Sequence, residues 1–274
     1  TITSGTLTTT NRATIKPSGT AQVTATGGNI TANTDFIFFE YCAINDMTNN
    51  GTTGAVQAIT GDVNAGGGDQ ATTGAGGWNF TGMPAGRIWD GGGTTNNWSE
   101  AANWSGDTLP TTTDAVVFGA ASVKDCILTA AVTVASLSNA GGYTGTFTCG
   151  ANNLTVSGAF TWGAGTFNGG TAATITTNGV FTLSGGTFTS TTGTLYIGNS
   201  SIEPDFIHTA GGTFNHNNGT VKFIGWNAAN TIDVNVTETF NNVEFGRAWG
   251  DSWRIASGDT LVVLGTFTHT KAAI

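Results

Sequence analysis

Charge is scarce in this chain. Of 274 residues only 8 are Lys or Arg and 17 are Asp or Glu, so charged side chains make up 9%, against about 25% in an ordinary soluble domain. A net charge of -9 with so few cations offers no basic surface to a phosphate backbone, and nucleic acid is excluded as a partner. Apolar runs are equally short. No window approaches the 18 residues of a membrane-spanning helix, so no membrane insertion is expected. Three Cys are too few for a disulfide framework. Four Pro leave most turns to Gly and Asn. Also missing are a Gly-x-Ser-x-Gly elbow, an HExxH pair and a phosphate loop. Glu occurs only at 40, 100, 203, 238 and 244, and His208, His216 and His269 share no common spacing. No catalytic constellation is therefore assigned, and a non-enzymatic protein is expected. The first residues, Thr1–Thr10, have neither the basic start nor the apolar run of a signal peptide, and no Met precedes them. The expectation is a processed secreted protein or a piece of a longer chain, placed outside the cell or at its surface.

What is abundant is small and neutral: 42 Gly, 53 Thr and 25 Asn. Leu, Ile, Val and Phe number 57, about a fifth of the chain, which is close to the lower bound for a folded core. Short runs of Val, Ile, Phe, Leu and Thr are bounded by Gly and Asn throughout. No stretch of a dozen residues carries apolar positions at helical spacing, so the chain reads as all-β.

Internal repetition specifies which kind. The segment from Gly158 to Phe167 matches that from Gly179 to Phe188 at an offset of 21, and the Gly-Gly-Thr-Phe ending returns at Phe214, 26 further on. Runs beginning at Gly170, Gly193 and Gly219 repeat the second half of each unit, and Gly265–Phe267 is a last copy. A period in the low twenties, with two or three short strands in each, is too brief for a propeller blade and fits a β-helix or β-solenoid. Phe160, Phe181 and Phe206, and likewise Phe167, Phe188 and Phe214, are then expected to stack as two internal ladders. Three regions follow: an N-terminal β-helix-like segment at 1–82, a Trp-rich connector at 83–118, and C-terminal solenoid repeats at 119–274.

The connector carries a resemblance. Trp89-Asp-Gly-Gly-Gly, Asn97-Trp-Ser, Asn103-Trp104, Leu109-Pro110 and Asp114-Ala-Val-Val-Phe118, followed by Gly-Gly-Thr-Phe repeats, resemble the repetitive segments of large bacterial surface and secreted proteins of the autotransporter-like β-helix type. Gly76-Gly-Trp-Asn-Phe80 is similar to the close of a pectin-lyase-like right-handed β-helix array. The resemblance implies an exported fibre, adhesin or surface protein and does not imply an enzyme.

Several residues are candidates for binding. Trp89, Trp98 and Trp104 lie among polar residues and suit either stacking on sugar rings, as in a glycan-binding module, or plugging the end of the solenoid, the reading favoured here because three exposed Trp are costly. Trp226, Trp249 and Trp253 are expected to plug the other end. Asp62, Asn64 and Asp69 surround a Gly run and place oxygens as Ca²⁺ needs them, although no bidentate Glu follows; an Asx-capped turn is the alternative, and no other cofactor is implied. Thr-rich runs suggest an ice-binding grid, but Thr positions wander with loop length, so the grid is expected to be broken. Cys126 and Cys149, 23 apart, are expected at equivalent places on adjacent coils, bonded as a disulfide in an oxidising compartment or at least stacked, with Cys42 left unpaired. Finally, Thr1–Thr10 and Thr260–His269 lack charge and Pro. Thr1, Ile2, Leu7, Leu261, Val263 and Phe267 are expected on strand edges that pair with copies of the same protein or with further chain. The function expected is a structural protein of a fibre, sheath or surface layer, with a carbohydrate-binding or carbohydrate-cleaving β-helix as the alternative and surface glycans as its partner.

Overall fold

A computed structural model describes residues 87–104, 107–119, 122, 124–139, 142–199, 205–225, 230–247 and 253–270, together with the backbone of seven strands before them. The chain divides into two compact units, 1–85 with 105–108, and 86–104 with 109–274. Both are built from parallel strands. In the first unit Thr6–Thr9, Val23–Ala32, Cys42–Asn49 and Val63–Asn64 form one parallel sheet, and Ala13–Ile15, Ile37–Phe39 and Val56–Ala58 another.

The second unit is a β-solenoid of about six turns with three faces. Face 1 stacks Cys126–Ile127, Thr146–Thr148, Thr166–Asn168, Gly186–Thr189 and Gly212–Asn215. Face 2 stacks Val132–Val134, Leu154–Val156, Thr174–Thr177, Thr194–Ile197, Thr220–Gly225, Asn242–Arg247 and Phe267–Thr270. Face 3 runs from Arg87–Ile88 through Ala115–Val117, Ser136–Asn139, Phe160–Trp162, Phe181–Leu183, Phe206–His208 and Asn230–Val234 to Trp253–Ile255. In the last two coils the place of face 1 is taken by Thr237–Phe240 and Thr260–Val263, which pair with each other as a separate sheet. The region expected to be a connector is not one. Residues 87–104 and 109–118 belong to the second unit, and Ala115–Val117 is paired in register with Ser136–Ser138. The apolar strand ends up in the first coil because its alternation matches the ladder above it.

Alternation explains the strands. Along Leu154–Val156, Phe160–Trp162 and Phe181–Leu183 the outer residues are buried and the middle Thr half-exposed, the period of two that puts one face of a strand inward. Strand stacking then brings like on like. Phe160, Phe181 and Phe206 are register partners, as are Phe147, Phe167, Phe188 and Phe214, so both expected ladders are present and buried. Rings within a ladder lie nearly parallel: 5.1 Å and 6° for Phe160–Phe181, 4.6 Å and 10° for Phe167–Phe188. Between ladders they meet edge to face, as in Phe181–Phe188 at 5.0 Å and 86°, the geometry in which a ring edge meets its neighbour's electron-rich face.

Corners are held by Gly and by polar side chains reaching between coils. Gly186 has a φ of +64°, and a Cβ there would lie 2.5 Å from the Gly165 carbonyl oxygen, so the Gly of the Gly-Gly-Thr-Phe repeat answers both handedness and closeness. Asn152 Nδ2 donates to the Leu128 carbonyl at 2.8 Å and Asn241 Nδ2 to that of Asn218 at 2.8 Å. In the other direction, Asp125 accepts from the Thr146 amide and Asp205 from the Thr231 amide, both at 2.7 Å.

Candidate functional site

The two ends of the second unit are built differently. At the N-terminal end the chain from 87 to 104 folds over the first coil. Trp89 and Trp104 are fully buried and Trp98 is 5% exposed. Their rings cluster, with centroids 5.0 Å apart for Trp89–Trp104 and 4.4 Å for Trp98–Trp104, and reach Phe118 and Phe147 beneath at 6.1 Å. Both buried indole N–H groups that face the chain are satisfied: Trp89 Nε1 donates to the Lys124 carbonyl at 2.9 Å and Trp104 Nε1 to that of Trp98 at 2.8 Å. Stacking on a sugar ring requires an open indole face, so these three residues form a plug and not a glycan platform.

The loop outside the plug is held by one carboxylate. Glu100 accepts from the amides of Thr94 and Thr95, both at 2.7 Å, and from both hydroxyls. The Thr95 hydroxyl and the two amides hold its pKa down to about 2. Asn103 donates to the carbonyls of Thr95 and Asn97 at 3.0 Å, and Lys124 Nζ to that of Gly93 at 2.6 Å. Glu100 is thus engaged by neighbours, which is what a structural cap requires. Asp114 behaves alike: it accepts from the Thr111 amide and hydroxyl at 2.8 Å and faces Arg87 at 3.8 Å, and the Thr111 amide, more than any other group, lowers its pKa.

The C-terminal end has no such cover among the described residues. Trp253–Ile255, Thr260–Val263 and Phe267–Thr270 are the last strands of their sheets. Around them Val236, Leu264 and Phe267 are 66%, 62% and 62% exposed, and Ile255 and Val262 are exposed as well. Of the residues expected on edges, Leu261 and Val263 are partly buried and pack on the core from the edge strand, whereas Phe267 projects into solvent. Leu7 lies in Thr6–Thr9, the edge strand of its sheet. Thr1 and Ile2 lie outside the described residues. Trp253 packs on Phe223 at 5.0 Å, while Trp226 and Trp249 lie outside the described residues.

A third feature was not visible in the sequence. On face 1, Thr146, Thr166, Thr187 and Thr213 are register partners, and so are Thr148, Asn168, Thr189 and Asn215. Two columns of hydroxyl and amide groups therefore run up four coils, on the outward side of the Phe ladder. The expectation of a broken grid is corrected on this face, because length differences between repeats are absorbed in the corners and the strands stay in register. The lattice repeats about every 4.8 Å between coils and about 6.7 Å along each strand.

The disulfide expectation is also corrected. Cys126 is the register partner of Phe147, not of Cys149, so the two cysteines are offset by one inward position and both are free and buried. One coil of 21 residues separates Cys126 from Phe147, and Cys149 stands two residues further along, at the next inward place. Burial, and for Cys126 the neighbouring Cys149, pushes both thiols up, away from the reactive thiolate. Cys42 begins a strand of the first unit. For the calcium candidates, Asn64 ends the strand Val63–Asn64, and Asp62 and Asp69 lie outside the described residues. Among the described residues no three His, Cys, Asp or Glu gather as a metal-holding group.

One acid–base pair does sit inside the solenoid: His208 Nδ1 bonds Glu238 Oε2, with both side chains close to fully buried. Neither the unequal His spacing nor the Glu count pointed to it; the inward position of His208, in register with Leu183 and Val234, was the available signal. No family model, no curated protein and no solved structure matches this chain.

Proposed function

We propose that the chain is a non-enzymatic structural protein of an extracellular fibre, sheath or surface layer, and that it assembles through strand edges. The observation that carries this is the C-terminal end, where among the described residues three strands end their sheets with no further strand beside them and Ile255, Val262, Leu264 and Phe267 are exposed. Open edges template further pairing, and natural proteins blunt them with Lys, Pro, bulges or cover. Neither Thr260–Val263 nor Phe267–Thr270 contains Lys or Pro. The partner is a copy of the same protein or further chain, and the plugged end makes the assembly directional. Sedimentation velocity and electron microscopy test it. Association that grows with concentration, is indifferent to salt because few charges are involved, and disappears in Val262→Lys is expected; a salt-insensitive monomer at high concentration overturns it.

A second reading rests on the outward columns of face 1. A flat array of Thr and Asn suits a ligand that is itself a periodic lattice of hydroxyls, either ice or a crystalline polysaccharide. Thermal hysteresis and co-sedimentation with insoluble glycans separate the two sources, and Thr187→Lys should abolish either.

A further inference from the structure

The stacking of face 1 is interrupted once. Gly212–Asn215 ends one sheet and Thr237–Phe240 begins another, so in the described structure no strand ladder joins face 1 of the last two coils to the coils below. The rings bridge the gap, with Phe214–Phe240 at 5.5 Å and Phe206–Phe240 at 5.8 Å. Beside them lies the pair of His208, from the coil below the break, and Glu238, from the coil above it. Glu238 Oε2 meets His208 Nδ1, while its Oε1 accepts from the Thr239 amide at 3.0 Å. The carboxylate thus supplies, through a side chain, a link that backbone pairing does not make here.

We propose that His208 and Glu238 form a proton-dependent clasp that joins face 1 of the two C-terminal coils to the body of the solenoid, beside the ladders of faces 2 and 3, which continue through the break. With His208 protonated, the clasp is an ion pair with a charge-assisted hydrogen bond in a place of low water content, where such bonds are strong. With His208 neutral, a buried carboxylate faces an uncharged ring and the link weakens. The surroundings leave this pair to itself. In register with His208 and Glu238 stand Leu183, Val234 and Leu261, none titratable. The acids near those strands are Asp205, whose Oδ1 accepts from the Thr231 amide at 2.7 Å, Asp233, exposed on the outer side, and Asp259, whose Oδ2 accepts from the Val234 amide at 2.8 Å. Gly212–Asn215 has no charged residue; His208 Nε2 is buried close to the Gly212 backbone but short of full hydrogen-bond geometry.

Burial works against the charged imidazole, yet the hydrogen bond and charge of Glu238, with the Gly212 backbone, outweigh it and raise the His208 pKa above its ordinary value. A raised folded value means that the stabilisation is complete below the unfolded value near 6.5 and is lost as pH climbs through the folded one. The bearing of this on assembly rests on the end pairing proposed above; the clasp itself does not.

Hydrogen exchange of the full chain, corrected for intrinsic rates, is the test. Protection at 237–240 should fall by up to about tenfold per pH unit as pH rises above the unfolded value, the limit for linkage of one proton, while 154–156 and 174–177 stay level. The double variant His208→Leu with Glu238→Leu, which continues the apolar ladder, should show no such fall. Should that variant not fold, the wild-type His208 imidazole resonance serves instead, and it must titrate upward of 6.5 and together with the loss of protection. Level protection in the wild type, a surviving fall in the double variant, or a resonance that titrates elsewhere overturns the clasp. A fall in protection with no association at any pH leaves the clasp standing and sinks the end pairing instead.

Discussion

The two ends of the second unit are covered to very different extents. At the N-terminal end Trp89, Trp98 and Trp104 cover Phe118 and Phe147, and every one of these rings is buried. At the C-terminal end Ile255, Val262, Leu264 and Phe267 are all exposed. Faces 2 and 3 run unbroken between the two ends, and a covering segment is described at one of them. A parallel strand stack has no intrinsic stop: each coil leaves an edge like the one it covered, and only a segment that leaves the ladder can end it. Residues 87–104 do so by folding back over the first coil, with the antiparallel bridge Trp89–Trp104 and the short helical turn Ala101–Asn103. The described C-terminal coil does no such thing. One end is therefore covered within the fold, and the other, among the described residues, is not.

The sharpest way to break this comparison is to delete an equivalent ring from each end. Trp104→Ala removes a fully buried indole and should cost about 3–5 kcal/mol, as other large core truncations do, whereas Phe267→Ala should change the stability of the dispersed chain by within about 0.5 kcal/mol. Denaturant unfolding of the two variants checks it, and equal losses would mean that the C-terminal end is covered after all. Next in size is the effect on association. Leu264→Lys should shift the sedimentation profile toward monomer with an unchanged unfolding midpoint, while a Lys in place of Thr94, on the plugged end, should leave association as it was.

A smaller effect separates the ends by pH. Because Glu100 has its pKa held down to about 2 by the Thr94 and Thr95 donors, its contribution is complete above the unfolded value near 4.3 and is lost as pH falls toward 2. Trp fluorescence of the plug should therefore change at the acid limit, and in Glu100→Gln that acid transition should vanish. The smallest change is expected from Lys222 and Glu244, an outward pair 2.6 Å apart on face 2 with about a quarter of each side chain exposed. Replacing both by Gln should cost no more than about 0.2–1 kcal/mol, and less at high salt; a larger loss in thermal unfolding would mean that the outer faces, and not only the core, hold the coils together.

Much of this was written in local pattern. The Gly-Gly-Thr-Phe repeat placed Phe167, Phe188 and Phe214 on one ladder because a strand must alternate and a solenoid must stack, and both constraints act at short range. The plug was half legible: three Trp among polar residues suited cover or contact equally, and only the packing of Trp98 over Phe147 decided for cover. The cysteines misled because spacing was counted along the chain, whereas register is counted along strands: one coil carries Cys126 to Phe147, and Cys149 lies two residues beyond it. The same corners hid the Thr and Asn columns of face 1, which look irregular when counted by residue number and are regular when counted by coil.

The sequence by itself determined the all-β class, the stacked repeat and the inward Phe, since alternation, Gly-marked turns and a period in the low twenties allow few other arrangements. The tertiary structure alone decided which end is closed, which groups share a column, and that His208 meets Glu238 across the one break in face 1. Those facts depend on which coil lies beside which, and residues 30 apart in the chain become neighbours only when the corners between them have set the register.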